Sequence, residues 1–176
     1  GSGVDFGDGT SAEIDFYGGW TPSVGAVDLD FGVLYYLYPA APQTPNQNYI
    51  EFNAGASTSV ADFLDVGLSF AYSPDYYLEA GNSLYTQGSL GFTLIPETPA
   101  GNSVFSVDVS GTVGYLNFFD EDDAISTTFP FEDYVDFGIG ATLNYYGFGL
   151  DLRYIAETGL DAADNNSFVA SLSRSF

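Results

Sequence analysis

Apolar and polar residues alternate with a period of two along almost the whole chain, and helical spacing is hard to find. From Phe63 to Tyr72, Leu64, Val66, Leu68, Phe70 and Tyr72 fall on one side and Asp65, Gly67, Ser69 and Ala71 on the other. Phe105, Val107, Val109, Val113 and Tyr115 oppose Ser106, Asp108, Ser110, Thr112 and Gly114. Val135, Phe137, Ile139, Ala141 and Leu143 oppose Asp136, Gly138, Gly140, Thr142 and Asn144. The pattern predicts about nine strands, near residues 12–20, 25–38, 48–58, 63–73, 83–95, 103–118, 133–146, 148–157 and 167–176, with 3–7 as the end of a tenth.

The connectors alternate in size. Thr21–Gly25, Thr58–Asp62, Pro96–Asn102 and the break at Gly147 are short. Pro39–Gln47, Ser73–Asn82, Asp120–Glu132 and Thr158–Asn166 are longer. An up-and-down antiparallel barrel with tight turns at one rim and long loops at the other produces such an order. No linker or composition shift divides residues 1–176, so a single domain is expected.

Alternation by itself admits two arrangements. In a soluble sandwich the apolar faces pack inward and the acidic faces meet water. In a membrane barrel the apolar faces meet lipid and the polar faces line the lumen. Strand length favours the membrane: a tilted spanning strand needs about 9–11 residues, against an average of about 5–6 in soluble domains. So do the small residues on the polar faces, and the Tyr, Phe and Trp20 clustered at strand ends ("FYGGW", "YYLYP", "SPDYY", "LNFF", "NYYGF"), which suit interfacial girdles.

Charge sharpens the picture. The chain carries 24 acidic residues against 2 basic ones, Arg153 and Arg174, and no Lys or His. A net charge of −22 excludes nucleic acid as a partner, because phosphates would be repelled. It suits cations instead. Disorder is not expected, since acidic tails lack the 45% hydrophobic and 18% aromatic content found here. The absence of Cys and His removes disulfides, thiolate nucleophiles, the usual zinc ligands and the usual general base. A Ser–His arrangement cannot form, and no carboxylate pair is singled out for glycosidase-type chemistry, so no enzyme is expected. No apolar run approaches the roughly 18 residues of a membrane-spanning helix. The chain opens at Gly1 without an initiator Met or signal peptide, and reads as a mature product or a fragment.

The final stretch "SFVASLSRSF" places Phe168, Ala170, Leu172, Arg174 and Phe176 in one alternating set. A last strand ending in Phe176 resembles the signal by which barrel-assembly machinery recognises outer-membrane proteins. Together, "VDFGDGTSAEIDFYGGW", "DFGVLYYLYP", "NYIEFNAGAS", "FAYSPDYY" and "VASLSRSF" resemble the TorF family of proteobacterial outer-membrane porins. The likeness spans most of the chain, and it implies porin-like architecture rather than a substrate, since none of these motifs is catalytic. The chain departs from the family at its start. Members carry further strands before "VDFGDG", among them an Arg-bearing first strand. Nine strands and a fragment do not close an even-numbered barrel. Either the N-terminal part lies outside this sequence, or a trimmed chain pairs through its open edges with other copies.

On the polar faces stand Glu13, Asp15, Asp28, Asp30, Glu51, Asp65, Asp108, Asp136, Asp151 and Glu157, with Arg153 as the one cation among them. Carboxylates this dense must be hydrated, protonated in part, or matched by cations. One reading is a cation-selective or cation-binding lumen. The other is a polar core satisfied by arginines from the missing strands. Arg153 is expected to pair with Asp151, Asp136 or Glu157. The run Asp120, Glu121, Asp122 and Asp123 is a speculative Ca2+ loop without EF-hand spacing. "DAADNN" lacks that spacing too, and Asp8-Gly9 is plain turn chemistry. Taken together, the expectation is an outer-membrane porin-like barrel in contact with lipid and passing small solutes or cations. The alternative is an extracellular acidic subunit that polymerises through strand edges, with or without Ca2+.

Overall fold

The computed structural model describes residues 2–3, 10–39, 41, 45–95, 105–119, 132–158 and 166–174. The strands are β1 (Ser2–Gly3), β2 (Ala12–Trp20), β3 (Ser23–Val24), β4 (Val27–Leu37), β5 (Tyr49–Ala61), β6 (Leu64–Ser73), β7 (Ser83–Ile95), β8 (Phe105–Phe118), β9 (Tyr134–Tyr145), β10 (Phe148–Thr158) and β11 (Ser167–Arg174). They form one antiparallel up-and-down sheet in the order β1-β2-β4-β5-β6-β7-β8-β9-β10-β11, with the short β3 beside β4. A 3-10 turn at Tyr77–Glu79 is the only helical segment among the described residues. Among the described residues, hydrogen bonds do not close the sheet into a barrel. Its ladder between β1 and β2 is two pairs long. The nine long strands alternate in direction, so β2 and β11 run the same way.

Strand expectations and structure agree at β2 and β7 residue for residue, and β2 to β11 run 8 to 14 residues apart from the two-residue β3. The largest difference is at β5. The expected turn Thr58–Asp62 is mostly strand, and the reversal occurs at Asp62-Phe63, between the pair Ala61↔Leu64. A bulge between Ser59 and Ala61 absorbs the extra residue, a device that alternation alone does not reveal. The break at Gly147 is a two-residue turn. Tyr146 (φ 50°) and Gly147 (φ 78°) both have positive φ, as a type I′ hairpin requires. Only Gly3 of the tenth-strand expectation, 3–7, falls in β1, and 4–7 lie outside the described residues.

The polar face lies on the inside of a curl where Glu51, Tyr85 and Tyr134 come together. Glu51 on β5 and Tyr134 on β9 line a single cavity of about 200 Å3. In a flat sheet, strands four places apart would lie about 19 Å from each other. The polar face is therefore the concave one. Burial follows this inversion. Among the described residues the buried polar ones are Thr10, Gln47, Ser73, Ser83, Ser106 and Asp136, whereas the buried apolar ones are Tyr38, Ala80, Leu116 and Phe118. Ala80, Leu116 and Phe118 pack together inside the curl at the long-loop rim, against Tyr76, Tyr85 and Tyr134. The large aliphatic residues of the opposite face are open: Ile139 is 65% exposed, Leu152 50% and Val113 48%.

Candidate functional site

All eleven polar-face residues expected from the sequence lie on the concave face. The ladder positions of Glu13, Asp15, Asp28, Asp30, Glu51, Asp65, Asp108, Asp136, Asp151, Arg153 and Glu157 share one parity across the register. They do not form one cluster. Asp28, Asp30, Asp65, Asp108 and Asp151 sit toward the short-turn rim. Glu13, Asp15, Glu51, Asp136 and Glu157 sit toward the long-loop rim. Between these belts the face is mostly Gly, Ser and Thr, such as Gly67, Ser89, Ser110, Thr112 and Gly138.

The short-turn belt has a regular construction. Every second strand carries an aspartate as the second residue of an apolar-Asp-apolar triplet near its start: Asp28 on β4, Asp65 on β6, Asp108 on β8 and Asp151 on β10, with Asp30 a second on β4. A hydroxyl from a neighbouring strand donates to Asp28, Asp65, Asp108 and Asp151. Ser23 Oγ lies 2.5 Å from Asp28, and Ser59 Oγ 2.5 Å from Asp65. Thr93 Oγ1 lies 2.8 Å from Asp108, and Thr142 Oγ1 2.8 Å from Asp151. Asn144 Nδ2 adds a longer bond to Asp108, at 3.3 Å. Asp28 and Asp30 also border a hollow of about 300 Å3 with Ser57, Ser69 and Ser89.

Of its three expected partners, Arg153 pairs with Asp151, 3.5 Å away, and also donates to Ser110 Oγ at 3.3 Å. Gly140 makes this crossing feasible. A Cβ there would stand 3.2 Å from Cζ of Arg153, so the glycine opens the path by which the side chain reaches from β10 across β9 to β8. Arg174 is on the convex face, its Cζ 4.8 Å from the centre of the Phe148 ring, a cation–π contact.

At the long-loop rim the donors are tyrosines. Tyr38 OH donates to Glu13 at 2.6 Å, Tyr85 OH to Asp136 at 2.8 Å and Tyr36 OH to Glu51 at 3.4 Å. Gln87 Nε2 donates in turn to Tyr85 OH at 2.8 Å. Gly114 leaves the space for the Tyr85–Asp136 bond, since a Cβ there would overlap both partners. Burial first, then the bond to Glu13, pushes the Tyr38 hydroxyl above its ordinary pKa, so it remains a donor. Asp133, before β9, accepts from Tyr115 OH at 2.7 Å, Asn117 Nδ2 at 2.7 Å and the Phe118 N–H at 2.9 Å. Desolvation works against its ionisation, but these three donors outweigh it and hold the carboxyl of this exposed residue below the ordinary value.

The loop after β6 folds over this end of the concave face. Tyr76 packs on Tyr49 (ring centres 5.0 Å apart) and on Phe118 (5.6 Å), and Tyr77 meets Tyr38 edge-on at 5.5 Å. Bonds from the Tyr76 N–H to Gly81 O (2.8 Å) and from the Ala80 N–H to Tyr76 O (3.3 Å) fix the loop. Leu78 (φ 62°) and Glu79 (φ 59°) adopt the left-handed region, each at a cost of order 1–3 kcal/mol. These contacts correct the girdle expectation. Tyr36, Tyr38, Tyr76, Tyr77 and Phe118 belong to the stretches that suit interfacial girdles, yet they cluster inside. Local parity gives Tyr36 and Phe118 away, but the inward loop has no periodic signal.

Among the described residues no three acidic side chains converge to hold a metal ion. The run Asp120, Glu121, Asp122 and Asp123, expected as a Ca2+ loop, and Phe176, expected as the insertion signal, lie outside the described residues. The hydroxyl partners Ser23, Ser59, Thr93 and Thr142 escaped sequence reasoning. A repeated triplet would have located the belt: Val27-Asp28-Leu29, Leu64-Asp65-Val66, Val107-Asp108-Val109 and Leu150-Asp151-Leu152 each open a strand of the same direction.

Residues 2–176 match the family described as bacterial protein of unknown function (Gcw_chp), and the chain belongs to that family. No curated protein and no solved structure matches it.

Proposed function

We propose that this member of the Gcw_chp family is an outer-membrane β-barrel, a porin-like channel for small solutes whose acidic lumen favours cations. The observation that carries this reading is the inverted burial of a single curled sheet. Its convex face carries aromatic residues in two bands, with Tyr35, Phe52, Tyr72, Tyr115 and Phe137 nearer the long loops and Trp20, Phe92, Phe105, Tyr145 and Phe148 nearer the short turns. Aliphatic residues such as Val33, Leu68, Val113 and Ile139 lie between them. Such a band between aromatic girdles is what a lipid-facing barrel wall presents. A sandwich needs a second layer over the apolar face, and the described strands make one sheet. Inside, the aspartate belt resembles the acidic rings that favour cations.

The test has two parts. Cell fractionation should place the protein in the outer membrane, released by detergent and not by high salt. In a planar bilayer under a KCl gradient the reversal potential should have the sign of K+ preference. Anion preference would sink the cation reading, and a soluble monomer would sink the barrel. The open edge at β11 favours one other reading, a secreted subunit that polymerises by strand addition. Filaments in the medium, dissolved by a chelator, would establish it instead. That reading leaves the broad apolar face in water, so it ranks second.

A further inference from the structure

The cavity under the loop after β6 differs from the rest of the acidic face. Its lining is Glu51, Tyr76, Tyr85, Tyr134, Leu116 and two small residues, Ala71 and Ser83. At about 200 Å3 it falls below the roughly 300–1,000 Å3 of drug-sized sites, so its occupant is small. Three aromatic rings and a leucine offer surface to an apolar body. One carboxylate lies in the wall, and a second, Asp136, stands directly behind Tyr85. No basic side chain lines the space. An anion would be repelled. A bare metal ion would find one carboxylate where it needs several oxygen ligands. What fits both the charge and the rings is a cation wrapped in methyl or methylene groups, held by the negative faces of the tyrosines.

We infer that this cavity binds a small alkylammonium ion, with Tyr76, Tyr85 and Tyr134 as the cage and Glu51 as the counter-charge. The inference rests on the reading of the concave face as a water-filled lumen, from which the ion enters. The strained Leu78-Glu79 backbone fits such a role, because it fixes the loop that presents Tyr76 over the carboxylate. Tyr76 closes the cage from the loop, while the other rings belong to the wall. Removing it should open the site at the cost of its ring contacts with Tyr49 and Phe118, while every ladder hydrogen bond of the sheet remains.

The probe is tetramethylammonium, with tert-butanol as a neutral control of similar shape. Binding is measured by saturation-transfer NMR and calorimetry on the full chain in detergent micelles. Tetramethylammonium should bind and tert-butanol should not. Y76L keeps apolar bulk but removes the ring, and E51Q keeps shape but removes the charge. Each should weaken binding about tenfold, the equivalent of about 1.4 kcal/mol, with circular dichroism unchanged. Equal binding of both probes, or undiminished binding in Y76L and E51Q, would overturn the inference. So would a folded protein that binds neither. The readout is separate from conduction. K+ preference in a bilayer without tetramethylammonium binding removes this site and leaves the pore reading intact, whereas a protein absent from the membrane fraction removes the pore reading itself.

Discussion

An arginine at Leu68 distinguishes a lipid-facing wall from every water-facing alternative. Leu68 lies near the middle of β6 on the convex face and is 48% exposed. Its ladder partners, Ala56 on β5 and Gly88 on β7, are too small to shelter a longer side chain. In a bilayer the guanidinium of L68R would stand near the midplane, where an arginine on a barrel wall costs about 2–4 kcal/mol. That is about a 30- to 700-fold loss in the folding equilibrium. The adjacent Ser69 points the other way, between Gly55 and Gln87 and toward the acidic concave face. S69R should therefore cost less than about 1 kcal/mol, since the new charge remains wet and meets carboxylates. If the convex face met water, L68R would be a surface change worth about 0.5 kcal/mol or less. Reversible refolding into lipid vesicles across a denaturant series measures the difference. Trp20, the single tryptophan, is 69% exposed on the same face and reports entry into lipid. A cost for L68R no greater than that for S69R would refute the argument that lipid covers this face.

Three further outcomes follow from the concave face and its rim. G114A should cost about 1–3 kcal/mol, because its Cβ displaces the Tyr85–Asp136 hydrogen bond and leaves buried polar groups unsatisfied. G111A on the same strand meets nothing nearer than 3.8 Å and should be neutral within about 0.5 kcal/mol in the same vesicle assay. D133A should cost about 1–2 kcal/mol by stranding the N–H of the buried Phe118. Since the native pKa of Asp133 is lowered, its stabilisation is complete above the ordinary aspartate value and is lost as pH falls through the lowered one. An acid titration of the unfolding midpoint should show that loss in the parent and not in D133N. R153Q should change stability by less than about 1 kcal/mol, as its ion pair is partly exposed. The same substitution should move the reversal potential further toward cations, because it removes the one positive charge on the described concave face.

Much of the fold was legible because period two is a local property. The run from Ser83 to Ile95 gave β7 to the residue, and face assignment followed from parity at all eleven polar-face positions. Bulges broke the rule at β5, where Val60 adds a residue that no alternation announces. The curl was not legible either. It decides that Tyr76 and Phe118 meet inside rather than facing lipid, and it depends on contacts between strands far apart in sequence. Partnering was legible only in part. The Arg153–Asp151 pair was expected, but the serine, threonine and tyrosine hydroxyls that donate to carboxylates from neighbouring strands were not. Cross-strand register, which short motifs do not encode, brings them into place.

Neutral donors orient a carboxylate without cancelling its charge, so both acidic belts retain their field. Asp108 and Asp151 flank Thr142 in the ladder, two strands apart and so about 10 Å from each other. At that distance two unit charges repel by about 0.4 kcal/mol in water and about 1.7 kcal/mol at an effective dielectric near 20. Several such steps in each belt at the drier value would approach the whole stability of a domain, about 5–15 kcal/mol. On the proposed reading the concave face is therefore wet, and mobile cations gather along it. Screening then sets the selectivity. Between about 0.1 M and about 1 M salt the Debye length falls from about 10 Å to about 3 Å, shorter than the spacing of the aspartates. Cation preference measured by reversal potential should decline across that range while vesicle-bound stability holds or rises. Selectivity independent of salt would mean that the belts are neutralised or dry, and the acidic lumen would lose its role.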